Sequence, residues 1–296
     1  MKVLVLGATG LLGTEVMAAL KERGLRAYGA ARSGADLKVD VTNQMALFRL
    51  LCRVDADAVI NCAANVNLGS CEADIEAAYR VNGAPAGVLA AWSRQTEGRF
   101  LQISTDHFFT GDLPLPHDEH AMVSLVNAYA VTKFAAESMA RKAENSLTIR
   151  TNICGAKKGF GRWALDCLRG HKPMNLFADY FTSTMHVGDC AAAIVELLVS
   201  EETGLINLAS RDISSKSDFI RALAAEMNID PSWVTETTAR DLTPIRALSC
   251  GLDVSKAETV LGRKLPSLQD TVRSLVHEDA QCVTTTNSKS ATALSA

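Results

Sequence analysis

The run Lys2-Val-Leu-Val-Leu6-Gly7-Ala-Thr-Gly10-Leu-Leu-Gly13 decides the fold. It opens with a short β-rich segment, apolar from Val3 to Leu6. Leu11–Glu22 then carries helical spacing through Leu12, Val16, Met17 and Leu20. Three glycines join the two. In that setting one glycine makes the tight turn, a second lets the backbone approach a pyrophosphate, and a third packs helix on strand. The helix start adds unpaired N–H groups and the positive end of the dipole. Gly7, Thr9, Gly10, Leu11, Leu12 and Gly13 therefore read as a dinucleotide-binding turn. The spacing is Gly-x-x-Gly-x-x-Gly, and without its flanking strand and helix it would be only a glycine turn.

Working outward, Arg26–Ala31, Ala58–Ala63, Phe100–Ser104 and Leu147–Thr151 read as further strands. Between them lie a helix capped by Thr42 and running to Cys52, a long helix over Cys71–Ser93 broken near Pro85, and a helix around Tyr129. Strands that look buried on both faces, alternating with helices, predict an α/β fold with a doubly wound parallel sheet. After Arg150 the pattern loosens. Residues 1–153 are expected to form a dinucleotide-binding domain of Rossmann type, with 186–210 returning to its sheet. Residues 154–185 and 211–276 are expected to form a smaller C-terminal substrate lobe. Residues 277–296, rich in Thr, Ser, Ala and Asn without an apolar period, read as a disordered tail.

The bulk numbers narrow the function. The chain has 296 residues, 48% of them apolar, which suits one large or two modest domains with a real core. A net charge of −3 gives no electrostatic case for nucleic acid or an acidic membrane surface. No apolar run approaches the ~20 residues of a membrane span, and Val3–Leu6 is too short for a signal core, so a cytoplasmic protein is expected. None of the eight cysteines stands in a Cys-x-x-Cys pair, and most lie in apolar runs, which fits buried thiols rather than a structural metal site.

Tyr129 and Lys133 stand four apart in a helical stretch, so a phenol and an ammonium share one face. A neighbouring cation favours the phenolate and brings a group that titrates near pH ~10 closer to acid–base work. The spacing alone is equally that of a solvated helix face. It becomes a site only beside a cofactor. The second strand ends at Ala31-Arg32, where an NAD site usually places an acidic residue for the ribose hydroxyl. The Arg32 guanidinium suits a 2′-phosphate instead, so NADP(H) is preferred, with NAD as the alternative. Asp40 and Val41 are candidates to line the adenine.

These pieces resemble a known family. The glycine turn, Asn61-Cys-Ala-Ala64, Ser104-Thr105-Asp106 and Tyr129-x-x-x-Lys133 occur in the order of the extended short-chain dehydrogenase/reductases. Ile103-Ser-Thr-Asp-His-Phe-Phe-Thr-Gly111, Asn127-Ala-Tyr129 and Ile149-Arg-Thr151 are similar to segments of the dTDP-4-dehydrorhamnose reductases, over about residues 1–275. The resemblance implies a hydride transfer from NADPH to the ketone of a nucleotide-linked 4-keto-6-deoxysugar. It implies that Thr105 holds the carbonyl, Tyr129 donates the proton, and Lys133 binds the nicotinamide ribose and lowers the phenol pKa. Cys62, Ala63 and Ala64 would let backbone approach the cofactor. Asp106, His107, Asn152, Trp163 and Arg246 would meet the substrate, with Asn175, Phe177, Tyr180 and His186 in the same region and Asn82 as a structural or site asparagine. The family often dimerises, so a homodimer is also implied.

Departures cluster in the sugar lobe. The family's Trp after Arg-Thr-x is absent from Arg150-Thr-Asn-Ile-Cys154, and its Pro-Thr stretch is replaced by Phe181-Thr-Ser-Thr-Met185. Related dehydratases carry Asp-Glu where this chain has Asp106-His107, which favours a reductase. The alternatives are an epimerase or dehydratase of the same superfamily, and a non-catalytic NADP-binding subunit resembling the methionine adenosyltransferase β-subunit.

Overall fold

The computed structural model describes the backbone of residues 1–111 and 113–293, with side chains to residue 282. The first half builds β1 (Lys2–Leu6), α1 (Leu11–Glu22), β2 (Arg26–Ala31), β3 (Leu37–Lys38), α2 (Gln44–Val54), β4 (Ala58–Asn61), α3 (Leu68–Ala73), α4 (Ile75–Asn82), α5 (Ala84–Thr96), β5 (Arg99–Ile103), α6 (Ala128–Ala140) and β6 (Ser146–Arg150). The second half adds β7 (Ile153–Cys154), α7 (Gly159–Arg169), β8 (Asn175–Phe177), β9 (Phe181–Thr182), β10 (Met185–His186), α8 (Val187–Val199), β11 (Gly204–Asn207), β12 (Ser214–Ser215), α9 (Lys216–Glu226), β13 (Thr235–Thr237), β14 (Ser249–Cys250), α10 (Ser255–Leu261) and α11 (Leu268–Ala293).

Seven strands form one sheet in the order β11-β6-β5-β4-β1-β2-β3, every pair parallel. Alternation along β1 divides its side chains between two cores. Val3 and Val5 pack under α1 and α8, whereas Leu4 and Leu6 pack under α2, α5 and α6. The chain leaves β1 toward β2 on one side and enters β4 on the other. That reversal opens a crevice at the carboxyl ends of β1 and β4, where ligands of such sheets bind. A third core joins α7, α9 and α11 around Leu165, Leu168, Phe219, Leu223 and Val272.

Several expected boundaries move. The expected helix over Cys71–Ser93 is three helices, because Asp74 caps α4 through the Ala77 N–H and Pro85 suits the first turn of α5. Asn43, not Thr42, caps α2, accepting from the Ala46 N–H at 3.0 Å.

The tail is the larger correction. Residues 277–296 were expected to be disordered, but α11 continues through them to Ala293, and residues 294–296 lie outside the described residues. Ion pairs and hydrogen bonds replace the missing apolar period. Fully buried Asp279 accepts from Arg162 at 2.7 Å and from Arg169. Glu278 accepts from the Ala156 N–H at 2.6 Å and lies 3.1 Å from His186 Nε2. Burial would raise the Glu278 carboxyl, but these partners win and hold it at about 2.

One buried ion pair ties α6 to the sheet. Glu137 accepts from Arg150 Nε at 3.0 Å and Nη2 at 2.9 Å, and from the Ser104 hydroxyl at 2.6 Å. Neither Glu137 (0% exposed) nor Arg150 (2%) has water to fall back on. Removing one partner of such a pair typically costs about 3–5 kcal/mol. Glu137→Leu should therefore lower unfolding stability in urea by about that amount; a loss under about 1 kcal/mol would show that the pair does not anchor the helix.

Candidate functional site

The crevice between β1 and β4 is a cleft of about 500 Å³ lined by Gly7, Thr9, Gly10, Arg32, Asp40 and Ala63 among others. Gly7 adopts φ +73°, and a Cβ there would stand 2.7 Å from the Ala63 nitrogen, so the turn and the β4 end can approach only with glycine at this place. A Cβ on Gly13 would lie 2.2 Å from the Gly7 carbonyl oxygen, which makes Gly13 the point where α1 packs on the turn. Gly10 is the N-cap of α1, and no side chain caps that end. The first-turn N–H groups therefore face a place suited to an anion. Arg32 stands at the β2 end. Asp40, beside it, has its carboxyl lowered by hydrogen bonds from the Thr42 N–H and hydroxyl, with a smaller pull from Arg32.

Of the residues expected to touch a dinucleotide, Gly7, Thr9, Gly10, Arg32, Asp40, Val41, Cys62, Ala63 and Ala64 line this cleft. Leu11, Leu12 and Gly13 do not. Leu12 is buried in the core and Leu11 packs toward Gly155, so what these residues present to a phosphate is backbone alone. Asn65, Val81 and Ser33 also line the cleft and were not singled out in the sequence, since none belongs to a motif. Asn82 fixes the wall behind them. Its side chain accepts from the Asn65 N–H at 2.7 Å and donates to the Asn65 carbonyl at 3.0 Å and the Thr132 hydroxyl at 3.1 Å.

The Tyr–Lys pair, expected to touch the dinucleotide as well, is buried on α6 and does not line the cleft itself; Lys133 stands close enough to Cys62 of the lining to act on its thiol. Asn127 caps α6 through the Ala130 N–H at 2.9 Å, which sets Tyr129 and Lys133 in its first two turns. Lys133 Nζ donates to the Ile103 carbonyl at 2.6 Å, and the same carbonyl accepts from Gln102 Nε2 at 2.8 Å. Gln102 in turn accepts from Asn61 Nδ2 at 2.9 Å, so the ends of β4 and β5 and α6 are cross-linked. Burial pushes the Lys133 ammonium down to about 8, against the opposing pull of Glu137 and Cys62. Cys62 lines the cleft, and its thiol, raised by burial to about 12, feels the Lys133 charge.

The surroundings of the phenol act against the expected lowering. The Tyr129 phenol is pushed up to about 12 by burial, with the Thr105 hydrogen bond acting the other way and Asp106 and Cys71 adding to the rise. Lys133 is spent on Ile103 and does not lower it. In this state the phenol holds its proton firmly.

Thr105 opens a polar group that reaches to Asn152 after β6 and Tyr180 before β9. Its hydroxyl lies 3.3 Å from Asp106 Oδ1 and accepts from the His107 N–H at 3.2 Å. Asp106 is 1% exposed, and burial raises its carboxyl to about 6 despite Lys216, Asn152 and Thr105. Asn152 Nδ2 donates to Asp106 Oδ2 at 2.7 Å. His107 Nε2 lies 2.6 Å from the Tyr180 hydroxyl, while buried Nδ1 has no protein partner. Burial, with Arg246 and Lys216, lowers this imidazole to about 4, so it is neutral near pH 7. Arg246 is held near by the Asn127 Nδ2 bond to the Ile245 carbonyl, 3.0 Å.

The structure thus gathers Thr105, Asp106, His107, Tyr129, Lys133, Asn152 and Arg246, with Tyr180 among them. Trp163 departs from expectation. It is 43% exposed on α7 and packs on Phe160, whose ring in turn receives Lys216 Nζ at 4.5 Å. Asn175 is exposed and Phe177 pairs in β8, while His186 caps α8 and holds Glu278. Lys216 is the residue that the motifs missed. The only local signal is Ser215-Lys-Ser-Asp218, a capping box that opens α9 on Lys216.

Among the described residues no cluster suits a metal ion, and no helix is long and apolar enough to cross a membrane.

Comparison with known proteins places this architecture. Residues 1–281 match the family described as RmlD substrate binding domain. The chain is 31% identical to a Haloferax volcanii protein named "Probable low-salt glycan biosynthesis reductase Agl14", over 92% of this chain and 96% of that one. It is also 31% identical to a dTDP-4-dehydrorhamnose reductase of Burkholderia thailandensis, over 83% and 84%. A solved dTDP-4-dehydrorhamnose reductase of Bacillus anthracis in complex with NADP shares the fold, with a TM-score of 0.85 at 21% identity over 94% of this chain and 99% of that one. With the match running from the glycine turn into α11, the chain belongs to the RmlD substrate-binding-domain family.

Proposed function

We propose that this protein is an NADP(H)-dependent reductase of a nucleotide-linked 4-keto-6-deoxysugar. The observation that carries the reading is the burial of Thr105, Asp106 and Tyr129 together with Lys133, which reaches the Ile103 carbonyl at the end of β5 and stands beside Cys62 of the glycine-lined cleft. The names of the relatives, which are reductases of such sugars, support the substrate class. When bound, a nicotinamide dinucleotide supplies the hydride.

The chain's own residues would do the rest. Gly7, Gly10 and the first turn of α1 would hold the pyrophosphate, and Arg32 a 2′-phosphate. Thr105 would hold the sugar carbonyl oxygen, and Tyr129 would donate its proton to that oxygen as negative charge develops there. The high pKa of the buried phenol makes it a poor donor by itself. Lys133 would hold the nicotinamide ribose, and its ammonium, placed near the phenol, would lower that barrier. The cross-linked strand ends keep these groups within a narrow geometry, which orientation-dependent proton transfer requires.

A dehydratase needs an effective base beside Asp106. His107, tied to Tyr180 and lowered to about 4, is a weak one, so the reductase reading is favoured. The sugar lobe, which lacks the tryptophan and proline of the family, would set which sugar and nucleotide are taken.

Tyr129→Phe should lower the rate of NADPH oxidation with nucleotide 4-keto-6-deoxysugars by about 10²–10⁴-fold, the usual contribution of a placed general acid. Turnover equal to that of the unaltered protein would sink the assignment. Arg32→Ala removes a charge-assisted partner of a phosphate, and its KM for NADPH should rise roughly tenfold or more while that for NADH barely changes. Equal changes for both cofactors would remove the 2′-phosphate role from Arg32.

A further inference from the structure

A string of polar contacts runs from Lys216 on α9 to Thr105 after β5. Lys216 Nζ donates to the Thr184 hydroxyl at 3.2 Å, and that hydroxyl donates to Asn152 Oδ1 at 2.8 Å. Asn152 Nδ2 donates to Asp106 Oδ2 at 2.7 Å. The Thr105 hydroxyl donates to Asp106 Oδ1 at 3.3 Å, and Thr105 and Asp106 both act on the buried Tyr129 phenol. Lys216 is half-buried, with its ammonium 4.5 Å from the Phe160 ring centre and 5.5 Å from that of Tyr180. Burial pulls its charge down and Asp106 holds it up. A lysine in that position costs free energy to desolvate, and its aromatic neighbours and the Asp106 charge are what offset the cost.

We infer that Lys216 is a positioning residue, which through Thr184 and Asn152 holds the Asp106 carboxylate against the Thr105 hydroxyl and so decides where the hydrogen of that hydroxyl points. The inference rests on the reductase reading for its consequence, though not for its geometry. An ionised carboxylate only accepts, so it draws the Thr105 hydrogen to itself. A protonated one can donate, which turns the Thr105 hydrogen toward a carbonyl. The charge of Asp106 thereby sets which way the Thr105 hydroxyl donates. Lys216, a full charge arriving from α9, is the group on the other lobe that biases it. The remaining groups around Asp106 are Tyr129 from α6, Tyr180 from the segment before β9, Cys250 from β14 and His107 from its own loop, with Arg246 beyond His107 and Tyr180.

The sign is fixed by the partners. Burial raises the Asp106 carboxyl and Lys216 lowers it, so loss of the lysine charge moves its titration to higher pH. The test follows Asp106 by ¹³C NMR of aspartate-labelled protein, with Asp106→Asn identifying the resonance, beside the pH profile of kcat for NADPH oxidation with a dTDP-4-keto-6-deoxysugar. In Lys216→Met the Asp106 midpoint should move up by about one pH unit, and the matching limb of the kcat profile should move with it. Lys216→Arg should restore both. If Lys216→Met does not fold, Thr184→Val cuts the string at its next link and should move the midpoint the same way. An Asp106 midpoint unchanged in every folded variant overturns the inference. A shifted midpoint in a protein that turns over no ketosugar supports the contact and overturns the reductase reading instead.

Discussion

The buried Glu137 carboxylate is the constraint on which the site depends. It accepts from Arg150 on β6 and Ser104 after β5 while sitting one helical turn beyond Lys133 on α6. A charge in that position is tolerated only when its partners satisfy it, so the pair fixes the register of α6 against the strand ends. The phenol of Tyr129 and the ammonium of Lys133 inherit that register. The Ile103 carbonyl, shared by Lys133 and Gln102, carries it across to β4 through Asn61. Phe108 and Phe109 close the arrangement by stacking near the Arg150 guanidinium, at 5.1 and 5.7 Å.

From this anchor the two functional halves separate cleanly. The cleft side is built by backbone: a glycine at positive φ, a helix start with no side-chain cap, and small residues at the β4 end. It suits a ligand recognised by its phosphates. The lobe side is built by side chains that shift one another's charge, with Asp106 raised, His107 lowered and Lys216 held between aromatic rings. It suits a ligand recognised by hydroxyls and a carbonyl. Lys158, donating to the Thr9 carbonyl at 3.0 Å, and Lys157, bridging Glu15 and Glu278, tie the segment between β7 and α7 back to the glycine turn and α1.

What the sequence made legible was local. The turn at Gly7–Gly13, the alternation of strands and helices, and the Tyr129–Lys133 spacing each need only a few neighbouring residues to be read. The rest depends on partners distant in sequence. Asn82 becomes a clamp only because Asn65 and Thr132 come to it, and nothing within α4 announces that. Lys216 looks like an ordinary first-turn residue until β9 and β10 bring Tyr180 and Thr184 around it. The end of the chain was misread for the same reason. Residues past 276 have no apolar stripe, and Arg162, Arg169 and His186, more than ninety residues earlier, supply what holds Glu278 and Asp279. Helical spacing gives proximity but not direction, and Lys133 points to the Ile103 carbonyl.

The central proposal is that NADPH delivers its hydride to the C4 ketone of a nucleotide-linked sugar while Tyr129 protonates the carbonyl oxygen. Single-turnover reaction with NADPH deuterated at the transferring C4 position, followed by NMR of the sugar product, tests it most directly. Deuterium at the sugar C4, with one equivalent of oxidised cofactor formed, is the expected result. Deuterium at any other carbon, or a sugar product formed with no label and no oxidised cofactor, would contradict it.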